Sequence, residues 1–182
     1  MDVNDPSTAS PPAPCVFCEI VAGRAPASIV HEDDRALVAA TIGPVNPGHL
    51  LVMPKEHAPY LDDLDDAMVA HLFTVARRAA TAIRRSGLRC EGINLFLADG
   101  EAAFQTVFHL HIHVFPRFRG DAFKIDADWS VQPPREELDR VAAQIRRQYR
   151  RTVEASTSYP GRESRPRSRR ACLCDGGDIR AT

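Results

Sequence analysis

The stretch His109-Leu-His111-Ile-His113-Val-Phe115 constrains this chain more than any other feature, because it alternates imidazoles with large apolar side chains residue by residue. Side chains alternate across an extended strand that rises ~3.3 Å per residue, so the spacing predicts a strand over Val107 to Phe115 with adjacent imidazoles roughly 7 Å apart. Val107, His109, His111, His113 and Phe115 would share one face. Phe108, Leu110, Ile112 and Val114 would face a core. A strand apolar on one side and carrying three imidazoles on the other must sit inside a sheet, and imidazole serves near neutral pH as nucleophile, proton carrier or metal ligand. Phosphate or metal chemistry is the expectation.

Between the two ends the chain reads as α+β. Short strands are predicted over Ile29 to His31, Ala36 to Ala40, Leu50 to Met53 and Ile93 to Ala98, which with the histidine strand gives an antiparallel sheet of about five strands. A long helix is predicted from about Asp65 to Arg85, with Leu64, Met68, Leu72, Val75, Ala79 and Ile83 on one stripe and Gly87 as its stop. The acidic Asp62-Asp63-x-Asp65-Asp66 run suits a helix N-terminus better than a metal, and His71 reads as a surface residue. After Pro134, Leu138, Val141, Ile145 and Tyr149 recur at helical spacing, which predicts a C-terminal helix.

Cys15 and Cys18 admit three readings: a redox pair, half of a zinc site, or two buried small side chains. A redox motif needs a strand before it, whereas Ser10-Pro-Pro-Ala-Pro14 precedes this one, so zinc is favoured. A closed tetrahedral site then requires two further ligands from elsewhere in the chain.

Four blocks in order carry a resemblance. They are Cys15-Val-Phe-Cys18 with the Glu32-Asp-Asp-Arg35 turn, Gly48-His49-Leu-Leu-Val-Met-Pro54-Lys55-Glu-His57, Gln105-Thr-Val-Phe-His109, and the histidine row itself. Together they resemble the histidine-triad (HIT) family of nucleotide hydrolases and transferases, in its zinc-containing branch, over residues 15 to about 120. The resemblance implies a HIT-like fold and a nucleotide substrate cleaved at the α-phosphate of phosphoramidates or dinucleoside polyphosphates. His111 would be the nucleophile. His113 would contact phosphate oxygens and assist protons, His49 would support the nucleophile's orientation, and Gln105 and the Thr106 hydroxyl would flank the phosphate or leaving group. It also implies His57 and His109 as the ligands that complete a structural Zn2+ site with Cys15 and Cys18, and a homodimer formed through the long helix and a neighbouring strand.

Two positions depart from that pattern. Thr41 stands where the family commonly has an aspartate on the ribose hydroxyls, and Ala98 where it has an asparagine near the phosphate. Each lost anchor removes a hydrogen bond worth on the order of 1–3 kcal/mol. Asp99 is a candidate for partial compensation. These departures keep a second reading open, a non-catalytic nucleotide-binding or interaction protein on the same fold.

Composition sets the remaining expectations. Net charge is −1, which implies no bulk polyanion partner, and no run approaches the ~20 apolar residues that span a bilayer. The N-terminus has neither a basic region nor an apolar run, so a cytoplasmic location is expected. Five cysteines, unevenly placed, do not make a secreted disulfide framework, and Cys90 reads as a buried core thiol. The expected organisation is a disordered extension over 1–14, one HIT domain over 15–152 and a disordered Arg/Ser-rich tail over 153–182. The tail's arginines, Arg162, Arg165, Arg167, Arg169 and Arg170, are read as solvated rather than as a nucleic-acid site, because Tyr159 is its one stacking residue. Cys172-Leu-Cys174 is half a metal motif.

Overall fold

The computed structural model describes residues 14–157, with side chains through 153; the expectations for the N-terminal extension before Pro14, for the arginine tail beyond Thr157 and for Cys172 and Cys174 lie outside the described residues. A short helix α1 (Val16–Val21) leads into strands β1 (Ser28–Glu32), β2 (Ala36–Ala40) and β3 (Leu50–Pro54). Helix α2 (Asp66–Arg85), strands β4 (Gly92–Leu97) and β5 (Ile112–Arg117), and helix α3 (Arg135–Thr157) follow. The five strands form one sheet in the order β1-β2-β3-β5-β4, with every neighbouring pair antiparallel. The fold is α+β, as its sequence pattern implies.

At β2 and β3 the sheet is buried on both faces, which explains why these two strands read as continuous apolar runs. On one face Ala36, Val38, Leu50, Val52, Leu110, Ile112 and Val114 pack against the α2 stripe of Met68, Leu72, Val75, Ala76, Ala79, Ala80 and Ile83. On the other, Leu37, Ala39, Leu51 and Met53 receive Phe17 from α1. Each fully buried Leu or Met in these layers contributes about 1.5–3 kcal/mol through removal from water. α2 is bounded as its sequence predicts: the Asp65 carboxylate accepts the Met68 N–H at 2.7 Å at its start, and Gly87, at φ +82°, follows the last turn.

Three expectations are corrected. The histidine strand begins at Ile112, not Val107, because the backbone upstream is bonded to other segments: the Leu110 N–H donates to the Ala58 carbonyl at 2.7 Å and the His109 N–H folds back on Val107 O at 2.9 Å. Phe108 accordingly leaves the core layer and packs edge-on against Tyr60. His71 is no free surface residue; its Nε2 lies 3.0 Å from Asp33 Oδ2, pinning α2 to the β1–β2 turn that the same carboxylate closes by accepting the Arg35 and Ala36 N–H groups. Cys90 packs against the α2-side core but is half-buried rather than fully buried, and its thiol donates to Gly92 O.

The described residues divide into two compact units, one ending at Phe123 and the other beginning at Lys124. The second contains α3, which continues to Thr157, five residues past the Thr152 boundary expected from composition. Among the described residues of its own unit no second element packs on the helix, and Leu138, Val141, Ile145, Tyr149 and Val153 are exposed.

Gly48, just before β3, sits at φ +92° with its would-be Cβ 2.8 Å from Leu88 Cδ1. A leucine tip can yield, so the backbone conformation decides the cost, and L-residues pay about 1–2 kcal/mol in this region. Gly48→Ala is expected to lower the unfolding free energy by about that amount; an unchanged denaturation midpoint would show that the turn relaxes without strain.

Candidate active site and metal centre

Cys15, Cys18, His57 and His109 come together from three separate segments, with their four ligand atoms all within 4.8 Å of one another. Cys18 Sγ lies 3.3 Å from His57 Nδ1 and 3.5 Å from His109 Nδ1, and Cys15 Sγ lies 3.6 Å from His109 Nδ1. Tetrahedral zinc with Zn–S ~2.3 Å and Zn–N ~2.0 Å would set S···N edges of about 3.6 Å. The donor set and its spacing therefore fit a four-coordinate thiolate–imidazole site. The tautomer fits too: His109 Nε2–H donates to the Pro54 carbonyl at 2.8 Å, which leaves the Nδ1 lone pair facing the sulfurs. Burial pushes His109 down to about 4, which keeps the ring neutral, as a ligand must be.

Two residues downstream, His111 Nδ1–H donates to the His109 carbonyl at 2.8 Å. Its Nε2 is then the nitrogen with the free lone pair, so the backbone of one metal-candidate residue fixes which atom of the next histidine carries that lone pair. Phe17 packs edge-on against both rings, at centroid distances of 5.8 Å to His109 and 5.0 Å to His111. Burial lowers His111 below the ordinary imidazole range, so the ring is neutral at pH 7.

A second chain of bonds fixes His113. The Val45 N–H donates to His49 Nδ1 at 3.2 Å, which obliges the His49 proton to sit on Nε2. That Nε2 lies 2.9 Å from His113 Nδ1 and donates to it, so the proton of His113 must be on its own Nε2. Burial, reinforced by the neighbouring His111 and His49, holds His113 down to about 4. A lone-pair Nε2 on His111 and a donor Nε2–H on His113 thus face the same chemistry, with ring centroids 4.8 Å apart rather than the 7 Å of an ideal strand. His49 differs from its expected place: its bond goes to His113, while the His111 ring is oriented by the His109 carbonyl.

Gln105 is buried, and its amide is spent on backbone: Oε1 accepts the Gly100 N–H at 2.7 Å, and Nε2 donates to Pro59 O at 2.7 Å and to Val107 O at 3.3 Å. It braces the loop before the histidines, while Thr106 beside it is exposed. Gln105→Ala should therefore cost about 2 kcal/mol of stability through groups left unpaired; full stability with a raised KM would instead place the amide on the phosphate. Asp99 Oδ1 accepts the Leu61 N–H at 3.3 Å. The Thr41 hydroxyl accepts the Gly43 N–H at 3.4 Å and Ala98 is buried, so neither supplies the side-chain anchor that the resemblance leads one to expect there.

One group of residues was not anticipated. Arg117 is paired with Asp121 through both carboxylate oxygens, at 2.6 and 2.8 Å, and Asp121 also accepts from the buried Asn46 amide at 3.0 Å. The i,i+4 spacing of Arg117 and Asp121 and a polar Asn46 just ahead of an apolar strand were the available signals.

Residues 22–120 match the HIT domain family. An uncharacterised HIT-like protein of Mycobacterium tuberculosis is 39% identical over 130 residues, 70% of this chain and 90% of its own length. The adenosine 5'-monophosphoramidase of Schizosaccharomyces pombe is 31% identical over 65% of this chain and 85% of its length. Among solved structures, a zinc-bound histidine triad family protein from Mycobacterium smegmatis is 47% identical, covering 68% of this chain and 86% of that one at a TM-score of 0.59. With the triad, the cysteine pair and the sheet order all in place, this chain belongs to the HIT domain family.

Proposed function

We propose that this protein is a nucleotide hydrolase or nucleotidyl transferase that cleaves nucleoside phosphoramidates or dinucleoside polyphosphates at the α-phosphate through a nucleotidyl-His111 intermediate. The observation that carries this reading is the pair of opposed tautomers, a lone-pair Nε2 on His111 beside a donor Nε2–H on His113. His111 Nε2 forms a bond to the α-phosphorus as the P–N or P–O bond to the leaving group breaks, and the leaving group departs with a proton taken from solvent, which the attacking water gives back in the second step. Water then attacks the same phosphorus, the N–P bond breaks, the electron pair returns to Nε2, and the nucleoside monophosphate leaves. His113 Nε2–H stabilises the oxygen charge that grows at each transition state. The exposed Thr106 hydroxyl flanks the phosphate, Asp99 lies on the same loop, and Gln105 acts by holding that loop.

Cys15, Cys18, His57 and His109 would hold a structural zinc, whose contribution is to tie α1 and its N-cap to the sheet rather than to act on substrate. We also propose a homodimer: β4 is an edge strand with Leu95 and Phe96 exposed. Among the described residues no helix is long and apolar enough to cross a membrane.

The test is rapid-quench mass spectrometry of the intact protein mixed with adenosine or guanosine phosphoramidate. A nucleotidyl adduct on His111 together with released monophosphate is the expected result. Nucleotide binding with neither adduct nor product would favour the non-catalytic reading that Thr41 and Ala98 keep open.

A further inference from the structure

The loop that precedes β3 and the end of β5 are joined by a polar network that the catalytic residues do not include. Asn46 is 6% exposed, and its side-chain amide donates to the Pro116 carbonyl at 2.9 Å and to Asp121 Oδ2 at 3.0 Å. Asp121 is gripped from both sides, since it also takes Arg117 Nε at 2.6 Å, Arg117 Nη2 at 2.8 Å and the Phe118 N–H at 3.2 Å. The rest of the Arg117 fork is occupied by Asn94 Oδ1 at 2.6 Å and the Phe123 carbonyl at 3.0 Å. A bidentate guanidinium–carboxylate pair is planar and directional, so the Asp121 oxygen offered to Asn46 has a fixed position.

That position matters because of what Asn46 begins. The His49 N–H donates to the Asn46 carbonyl at 3.1 Å, and within the same turn the Val45 N–H donates to His49 Nδ1 at 3.2 Å. The ring of His49 is held on its face as well: Arg117 lies over Phe123, Phe123 packs on Phe115, and Phe115 packs on His49 at a centroid distance of 5.0 Å. Both arms start at Arg117 and both end at His49. His49 in turn has one hydrogen bond to give, to His113 Nδ1.

We propose that Arg117, Asp121 and Asn46 form a positioning clamp that holds the Val45–His49 turn, so that His49 keeps its Nε2–H tautomer and His113 is held with its proton on Nε2, the atom offered to phosphate. An unclamped turn lets the Val45 N–H swing off His49 Nδ1. His49 can then move its proton to Nδ1, its Nε2 becomes an acceptor, and His113 answers by carrying its proton on Nδ1, which removes the donor from the substrate side. No net charge changes; the loss is of proton placement alone. The catalytic consequence rests on the function proposed above, but the tautomer consequence does not.

The experiment is long-range 1H–15N correlation of the histidine rings in the full-length 15N-labelled protein without substrate, which distinguishes the two neutral tautomers directly, with His113 assigned by His113→Gln. The wild-type protein should show His113 as Nε2–H. Asn46→Ala should give a mixture of tautomers at His113, and, with a phosphoramidate substrate, a kcat reduced about tenfold with KM within about twofold, the size of a misdirected proton donor. Asp121→Asn, which keeps shape but loses the bidentate pair, should shift His113 in the same direction and serves if Asn46→Ala does not fold. A wild-type His113 on Nδ1, or folded variants that melt earlier yet keep His113 wholly as Nε2–H, would overturn the clamp. If the wild-type protein turns over none of the substrates, the ring spectra alone decide the clamp, and the failure belongs to the enzymatic reading.

Discussion

Replacing His111 with alanine is expected to lower kcat by at least about 10⁴-fold and to eliminate any nucleotidyl adduct, the scale lost when a covalent nucleophile is removed from a preorganised site. The expectation follows from the ring's fixed tautomer: with Nδ1–H committed to the His109 carbonyl, no other atom in the row presents a lone pair in that place. His113 cannot substitute, because its Nε2 carries the proton and its Nδ1 is held by His49. KM should change little, since substrate binding does not need the bond that His111 forms. The acid side of the profile gives an independent check. His113 is held down to about 4 by burial and by its imidazole neighbours, and burial also lowers His49 and His111, so kcat/KM should stay flat across neutral pH, with its acid limb below the ordinary imidazole value of ~6.5. The same shift has a stability counterpart. A histidine whose folded pKa lies near 4 and whose unfolded value is ~6.5 binds fewer protons when folded; its contribution is complete above ~6.5 and is lost as pH falls towards 4. An acid limb centred at 6.5 or above would mean that His113 and His49 titrate as exposed rings. Residual turnover of His111→Ala within tenfold of wild type would remove the covalent mechanism altogether.

What the sequence makes legible, and what it hides, follows from the range of the interactions involved. α2 is readable because its bounds are local: an apolar stripe at helical spacing, Asp65 at the start and Gly87 beyond the end. The β2 and β3 spans are readable because both faces of the sheet are covered and the apolar runs are unbroken. The histidine strand is only half readable. Alternation continues back to Val107, but the chain there is held by a bond between Leu110 and Ala58, 52 positions apart by sequence number, and no local pattern announces it. The same limit applies to the site. Cys15, Cys18, His57 and His109 are expected from resemblance and the fold brings them together, whereas the roles of Gln105, His49 and Asn46 depend on which backbone group each side chain reaches. Gln105 beside a row of histidines suggests a phosphate ligand; its buried amide, bonded to Gly100, Pro59 and Val107, makes it a brace. The C-terminal helix shows the opposite error. Arginine-rich composition from Arg150 onward reads as a tail, yet arginine is a good helix former and the helix persists to Thr157.

Removal of a bound zinc is expected to cost about as much stability as truncating a large buried core side chain. Cys15 and Cys18 flank the entry to α1, His57 follows β3 and His109 precedes β5, so a bound ion would join three stretches of chain separated by 39 and 91 positions at the Cys18 contacts alone. Ligand sets of this kind release apparent free energies on the order of 10 kcal/mol on binding zinc near pH 7, and that free energy appears as folding stability because the unfolded chain has no preformed site. Part of it is offset here, since Phe17 and the sheet supply a core that persists without the ion. A net loss of about 3–5 kcal/mol on chelation is therefore expected, compared with about 2–5 kcal/mol for truncating a buried leucine such as Leu72. Cys18→Ser and His57→Ala should each abolish stoichiometric zinc and lower the melting temperature by roughly 10 °C or more, on the scale of 2–4 °C per kcal/mol for a domain of this size. Activity should suffer less than stability at temperatures where the variants stay folded. His111 takes its orientation from the His109 carbonyl, a backbone atom, and the His109 ring retains its bond to Pro54 when one partner ligand is lost. Metal analysis and melting curves on the same preparations decide the matter. Variants with full zinc and unchanged melting would remove the assignment of these residues as ligands, and variants that lose zinc with no loss of stability would show that α1 is held by its apolar packing, Phe17 with Ile20 and Val21.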